Sequence, residues 1–398
     1  MKKTVLLLMM ILLIFAVILA GCGLDDGEDN EDAAVPDGNE EVGEGENDEE
    51  GVNDEEEGNQ EEGENDNARE PEEEVSGSYD YYPFIQNTRL HYDGEGSEYV
   101  AEKVHFDYID EDRAQLRRQT GGTTLLEVIH YEEGKVYSLL QLEESYQRES
   151  FYEIGLADAE NAEILIMDPI EAGTQWEVRE GILREITNTE MVIETPLGEF
   201  EVIEVTTYEE DSTFTVYYGK DYGKVRSIFE TGDTEIFTEL VEAEEDFQVV
   251  EAVSFFYPEF DEDRLVYFKE EILFDTNDGV EGIFEEYFRR SPKEDSDEYT
   301  ALISQSTRIN FIRLDRGDFA GHIDFSEEFI TEMNAGGALE SMILSSVVRT
   351  VGEYFTVDEV KLTIDGEAYA SGHFEFTEGE ILENTPNENE QEIEKGWE

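Results

Sequence analysis

The chain offers few starting points for chemistry, and the first is a thiol. Cys22 is the single cysteine in 398 residues. An intramolecular disulfide, a Cys-ligated zinc site and a nucleophile with a resolving partner are therefore excluded. The five histidines, His91, His105, His130, His322 and His373, stand apart from one another, and His105 lies in apolar alternation as a solvent-facing strand residue. No His-Glu-x-x-His, Gly-x-Ser-x-Gly or Walker loop occurs. Asp275-Thr276-Asn277-Asp278-Gly279 superficially suggests a calcium loop, but its glycine comes one place early and Val280 follows, so helix capping is the better reading. Asp93-Gly94-Glu95-Gly96 reads as a turn. With 104 acidic residues, paired carboxylates carry little information. Asp110-Glu111-Asp112 and Asp261-Glu262-Asp263 could hold a cation loosely, yet exposed turns explain both. Nothing here assigns a catalytic residue, a metal ligand or a cofactor, and a non-enzyme is expected.

The surroundings of Cys22 suggest a different chemistry. Lys2 and Lys3 precede a run from Val5 to Ala20 that is almost free of polar residues, the layout of a signal peptide over residues 1–21. Leu19, Ala20, Gly21 and Cys22 resemble the bacterial lipobox, which implies diacylglyceryl on the thiol and cleavage before it. An uncleaved membrane anchor is the alternative, and the small residues beside the cysteine argue against it. One acyl chain binds a membrane marginally and two hold firmly. The expected location is the outer, extracytoplasmic face of the cell membrane, with the lipid on Cys22 as the membrane contact.

Residues 25–74 hold 26 acids and one base, Arg69, with too little apolar surface to offset ordering entropy. Residues 22–77 are expected as a disordered tether with a reach of about 40 Å. Beyond it, 78 acids against 23 bases leave a net charge of −55. Such a surface repels phosphate backbones, so no nucleic-acid partner is expected.

From Tyr79 the chain turns aromatic and β-branched. Residues 190–195, 199–208, 213–219, 224–231 and 234–241 alternate between turn signals such as Pro196-Leu197-Gly198 and Gly232-Asp233. Hairpin strands also fall at 104–106, 125–131 and 136–142, with Trp176 as a core residue. The fold class expected is multidomain: an antiparallel all-β meander over 78–246, then a small α+β domain over 247–378 and a disordered acidic tail over 379–398. In the second domain, a helix after Asn277-Asp278 carries Val280, Ile283, Phe284, Tyr287 and Phe288 on one face. A hairpin follows around Asp315–Asp318, whose second strand should half-bury. A long helix near Ala335, capped by Asn334, places Leu339, Ile343, Val347, Val351 and Phe355 four apart, and Val357–Ile364 forms a last strand turning at Asp365-Gly366.

Phe256-Tyr257-Pro258, His322-Ile323-Asp324-Phe325-Ser326, Asn334-Ala335-Gly336-Gly337 and the stretch from Val357 to Gly366 resemble, in order and spacing, the GerMN domain of sporulation and spore-germination lipoproteins. The motif residues carried over are Asp324, Ser326, Asn334, Gly336, Asp365 and Gly366. The resemblance implies a fold related to the ring-building modules of envelope assemblies and an architectural, non-catalytic role. One GerMN copy is present where the double-domain germination protein has two. The expectation is a scaffold that meets an envelope protein, or copies of itself, through a sheet edge or a helix face. The alternative is a lipoprotein whose β-rich part grips the peptidoglycan of the cell wall.

Overall fold

Short turns between β-branched and aromatic runs fold residues 89–244 into successive antiparallel hairpins. The computed structural model describes residues 76–96, 101–151, 154–159, 162–293 and 299–397. The signal peptide, the lipobox with Cys22, and all of the tether before Ser76 lie outside the described residues. The first strands are β1 (Arg89–Glu95), β2 (Glu102–Ile109), β3 (Arg113–Thr120), β4 (Thr124–Glu132), β5 (Lys135–Leu142) and β6 (Glu163–Met167). They continue as β7 (Gln175–Arg179), β8 (Ile182–Thr195), β9 (Gly198–Tyr208), β10 (Ser212–Gly219), β11 (Gly223–Thr231) and β12 (Thr234–Glu244).

All twelve join one antiparallel sheet in the order β6-β5-β4-β3-β2-β1-β12-β11-β10-β9-β8-β7. Every pairing joins chain neighbours except that of β1 with β12, where Arg89 lies opposite Glu244, and the consecutive strands β6 and β7 form the two edges. That join requires a bare backbone: a Cβ on Gly94 would lie 1.8 Å from the Phe237 carbonyl oxygen. Gly94, expected in a turn, is therefore a strand residue of β1. At the far ends the two edge strands are tied by side chains. Trp176 Nε1 and Arg184 Nη1 both donate to the Ile164 carbonyl, at 3.0 and 2.6 Å, and the meander thereby nearly closes on itself. Closure leaves little free edge for chance pairing. The enclosed core holds Leu116, Ile129, Trp176, Ile186 and Val205, and Tyr82, Phe84 and Ile85 from the segment before β1 pack against it.

After Phe247 the elements are β13 (Val249–Glu259), β14 (Arg264–Phe274), helix α1 (Val280–Phe288), β15 (Ile309–Asp315) and β16 (Ala320–Phe325). Then come α2 (Glu328–Thr331), α3 (Gly337–Phe355), β17 (Glu359–Ile364), β18 (Glu367–Ala368), β19 (Ile381–Glu383) and β20 (Gln391–Glu392). β13 and β14 form a hairpin, while β16 and β17 run parallel with α3 as their crossover. The apolar stripe of α1 buries Val280, Phe284 and Phe288 completely, each worth about 1.5–3 kcal/mol. α3 lies so close to β16 that a Cβ on Gly321 would meet Val351 Cγ1 at 2.9 Å. Among the described residues no helix is long and apolar enough to cross a membrane.

Four expectations need correction. Neither Asn277 nor Asp278 caps α1; the N-cap is Gly279, because Asn277 Oδ1 accepts the Ile109 N–H at 2.7 Å and Asp278 Oδ2 that of Asp275 at 2.8 Å. The N-cap of α3 is Gly336 rather than Asn334. β16 is buried on both faces rather than half-buried, since α3 covers one side and the Phe311 ring, edge-on to His322 at 4.8 Å, closes part of the other. The acidic stretch 379–398 is ordered through Trp397: β19 pairs with β17, β20 pairs with β14, and Leu382, Ile393 and Trp397 pack against the second core. A few apolar anchors outweigh the acidic composition there.

Candidate functional site

Four of the six motif residues meet where β16 and β17 end side by side. The Asp324 carboxylate is 2 % exposed. It accepts the Thr363 hydroxyl, the Gly366 N–H at 2.8 Å and Asn310 Nδ2 at 2.7 Å. Asp365 accepts Asn310 Nδ2 at 3.2 Å and the Glu327 N–H at 3.1 Å. Ser326 Oγ accepts the Arg308 N–H at 3.0 Å. Asp365 and Gly366 both have positive φ, 48° and 82°, as a two-residue hairpin turn demands. The motif is thus a fastening that joins β15, β16, the β17–β18 turn and the approach to α2. Hydrogen bonds to charged groups contribute about 1.5–3 kcal/mol each.

The other two motif residues lie apart, at the start of α3. Asn334 lines an open cavity of ≈ 210 Å³ with Leu302, Ile303, Phe329, Met333 and Leu339. Gly336 opens the helix, and Gly337 leaves room for the His373 ring, 3.4 Å from where a Cβ would sit. In the first turn the buried carboxylate of Glu340 accepts the Tyr369 hydroxyl at 2.7 Å and the Ser371 hydroxyl, and lies 2.6 Å from His373 Nδ1. Burial alone would raise Glu340, but these hydrogen bonds from Ser371, Tyr369 and His373 outweigh it and hold the carboxyl below its ordinary value. The ring stands against a carboxylate that already serves two hydroxyls, which anchors the return after β18 onto α3.

A second polar centre joins the meander to the α+β part. Arg148, among the largest fully buried side chains, bonds Asp107 Oδ1 at 3.1 Å and the carbonyls of Asp107, Asp278 and Asp275 at 2.7, 2.7 and 3.2 Å. Arg117 Nε meets the same carboxylate at 2.7 Å. Burial would raise Asp107, yet Arg117, His105 and Arg148 together hold it far below the usual carboxylate range. His105, expected to face solvent, has its side chain only 12 % exposed, with Nε2 3.5 Å from Asp107. The loop 275–279 accordingly directs its oxygens at N–H groups of the neighbouring lobe. Among the described residues no group of three or more His, Cys, Asp or Glu is placed to hold a metal ion.

The sheet edge at β15 is occupied as well. Glu285 Oε1 accepts the Ile309 N–H at 2.7 Å, Glu281 Oε1 that of Ile312 at 3.4 Å and Glu149 Oε2 that of Leu314 at 3.1 Å. Burial pushes Glu281 upward. Carboxylates therefore sit where an added strand would bond. The N-terminal half of α3, in contrast, exposes Ala338, Ser341 and Ser345, an uncharged face on a strongly acidic body.

Reasoning from sequence located the motif but missed Asn310, Glu340 and the Asp107–Arg148 pair. Only the coupling of Glu340 to an Asn-Ala-Gly-Gly helix start carried a local signal, as an acid in a first turn.

Residues 254–370 match the Germane family model, described as sporulation and spore germination, which bears out the GerMN resemblance over that region. No curated protein sequence matches the chain. Among solved structures, a protein from Bacteroides fragilis described as exported and of YmcC-like fold is 11 % identical, with a TM-score of 0.28, covering 42 % of this chain and 99 % of its own. A protein described as a lipoprotein from Parabacteroides distasonis is 10 % identical, with a TM-score of 0.25, over 41 % of this chain and 98 % of its own. Another so described, from Clostridium perfringens, is 16 % identical, with a TM-score of 0.21, over 34 % of this chain and 87 % of its own.

Proposed function

We propose that this chain, which carries a Germane domain over residues 254–370, is a lipid-anchored extracytoplasmic component of a sporulation or germination assembly. In it the Germane domain is a non-catalytic docking module. One observation carries the reading: Asp324, Ser326, Asp365 and Gly366 are engaged in fastening strand ends, so what the motif provides is a shape. The carboxylates along β15 argue against docking by strand addition. The uncharged face of α3 is the better surface, since a partner meets no repulsion there.

The anchoring and the docking are tested separately. Cys22→Ser should move the protein from the membrane to the soluble fraction. Ser341→Arg with Ser345→Arg should abolish capture of the partner from crosslinked envelopes while circular dichroism stays unchanged. Undiminished capture by the double variant sinks the helix-face reading. Sedimentation of the protein with purified walls, independent of salt, would favour a wall-binding role in its place.

A further inference from the structure

The C-terminal strap is seated on its own domain by contacts that a second copy could make equally well. β20 adds two residues in parallel to β14, Val266 opposite Gln391 and Tyr267 opposite Glu392. Beyond it the Ile393 N–H reaches the Tyr267 carbonyl at 2.8 Å, and Trp397 Nε1 reaches the Ser291 carbonyl at 2.9 Å. The Trp397 indole lies 5.8 Å from Phe268 and 5.3 Å from Tyr287, under the Arg290 guanidinium at 3.9 Å. Glu390 makes a two-pronged pair with Arg349 at 2.8 and 3.0 Å. In a chain of 104 acids and 26 bases, two arginines thus face a strap that brings Glu390, Glu392 and Glu394. Charge and shape select this acidic, Trp-bearing segment.

What links the strap to the body is weak. Residues 385–389 are all exposed, and their hydrogen bonds reach no further than Glu390, as Asn389 N–H to Asn387 Oδ1 at 3.1 Å and Asn387 N–H to Glu390 Oε1 at 3.1 Å. Before the hinge, Asn384 is held firmly: its N–H meets the Asp358 carbonyl at 2.7 Å and its Nδ2 the Val357 carbonyl at 2.7 Å. A short solvated hinge between a fixed point and a fully bonded strap is the arrangement that permits exchange of identical elements between protomers.

We infer that the groove formed by the β14 edge, Phe268, Tyr287, Arg290 and Arg349 accepts residues 390–397 of a second copy of this chain, linking copies by exchange of their straps. The groove takes in Arg349 on the later part of α3 but neither Ser341 nor Ser345, and the inference does not depend on that reading. Closing the strap onto its own body needs the hinge to turn back. Arg349 bonds both Asn384 and Glu390, so the chain doubles back through a turn closed by the Glu390 N–H on the Asn387 carbonyl at 3.0 Å; removing residues 385–387 takes that turn away and opposes closure, whereas the groove of a neighbour stays within reach.

The test uses the chain from position 22 with Cys22→Ser and Trp176→Phe, which leaves Trp397 as the only tryptophan, and deletes residues 385–387. Light scattering should report twice the monomer mass with Trp397 emission as blue as in the undeleted chain. Trp397→Ala in the deleted chain should return the monomer. The dimer should strengthen with salt as repulsion between acidic bodies is screened. A monomer with blue emission would mean that the hinge is not needed for closure, and a monomer with red-shifted emission would mean that the groove refuses a strap in trans. Either overturns the inference, and a dimer that survives Trp397→Ala does so too.

Discussion

Arg148→Met is the perturbation that most directly tests how the two lobes are coupled. Methionine keeps much of the stem that packs between Tyr108 and Phe274, whose rings lie 4.8 and 4.9 Å from the guanidinium. It removes the charge and all four bonds, to Asp107 Oδ1 and to the carbonyls of Asp107, Asp275 and Asp278. Breaking a buried pair by deleting one partner costs about 3–5 kcal/mol, mostly because the survivor is left buried. Here Asp107 keeps Arg117 at 2.7 Å, which argues for the lower end, while the orphaned carbonyls of Asp275 and Asp278 push upward by about 1–3 kcal/mol. A loss of about 4 kcal/mol is expected, a large part of the roughly 5–15 kcal/mol that holds a folded protein together. With a urea slope of about 3 kcal/mol/M, the midpoint should fall by about 1.3 M. The two tryptophans let the lobes be watched separately, because Trp176 lies in the meander core and Trp397 against the α+β core. Trp397→Phe and Trp176→Phe leave one reporter each. In the parent chain both reporters should trace one coincident transition; with Arg148→Met they should separate. Coincident transitions with a midpoint shifted by less than about 0.2 M would refute the clamp.

Asp324→Ala should lower stability by about 3 kcal/mol, read by urea unfolding, because the Asn310 amide, the Thr363 hydroxyl and the Gly366 N–H lose their shared acceptor. Gly321→Ala should cost about 1–3 kcal/mol by overpacking against Val351, and Val351→Ala in the same chain should recover part of that loss in thermal melts. Glu102, buried on β2, is pushed up by burial, yet Lys224 and Arg118 overcome this and bring it from an ordinary 4.5 down to about 2. Its folded value is depressed, so its contribution is complete above about pH 4.5 and is lost as the pH falls toward 2. Glu102→Gln should flatten the dependence of stability on pH in that window, and an unchanged slope would show that Lys224 and Arg118 do not matter there.

Local signals were read correctly wherever a structure depends on neighbours in the chain. Alternation of apolar residues and the residues between the strands specify β8 through β12 as hairpins, because a two-residue turn and a period of two act within about ten positions. The four-spaced stripe from Leu339 to Phe355 specified α3 for the same reason. Helix caps were misread because Asn277 answers to Ile109, 168 positions earlier, rather than to its own helix. Composition misled at the tail, where net charge says nothing of three apolar side chains that find a core.

What the chain dictated by itself is therefore the element types, the meander order, the Germane motif and the absence of familiar catalytic sets. Tertiary structure alone decided that β1 would close on β12, that Arg148 would lock Asp107 to the loop at 275–278, and that carboxylates would seal the β15 edge. Each of these joins groups more than 20 residues apart, and several join groups more than 100 apart. Such pairings form only when burial over the whole fold offsets the loss of chain entropy, and no short stretch of sequence contains both sides of that balance.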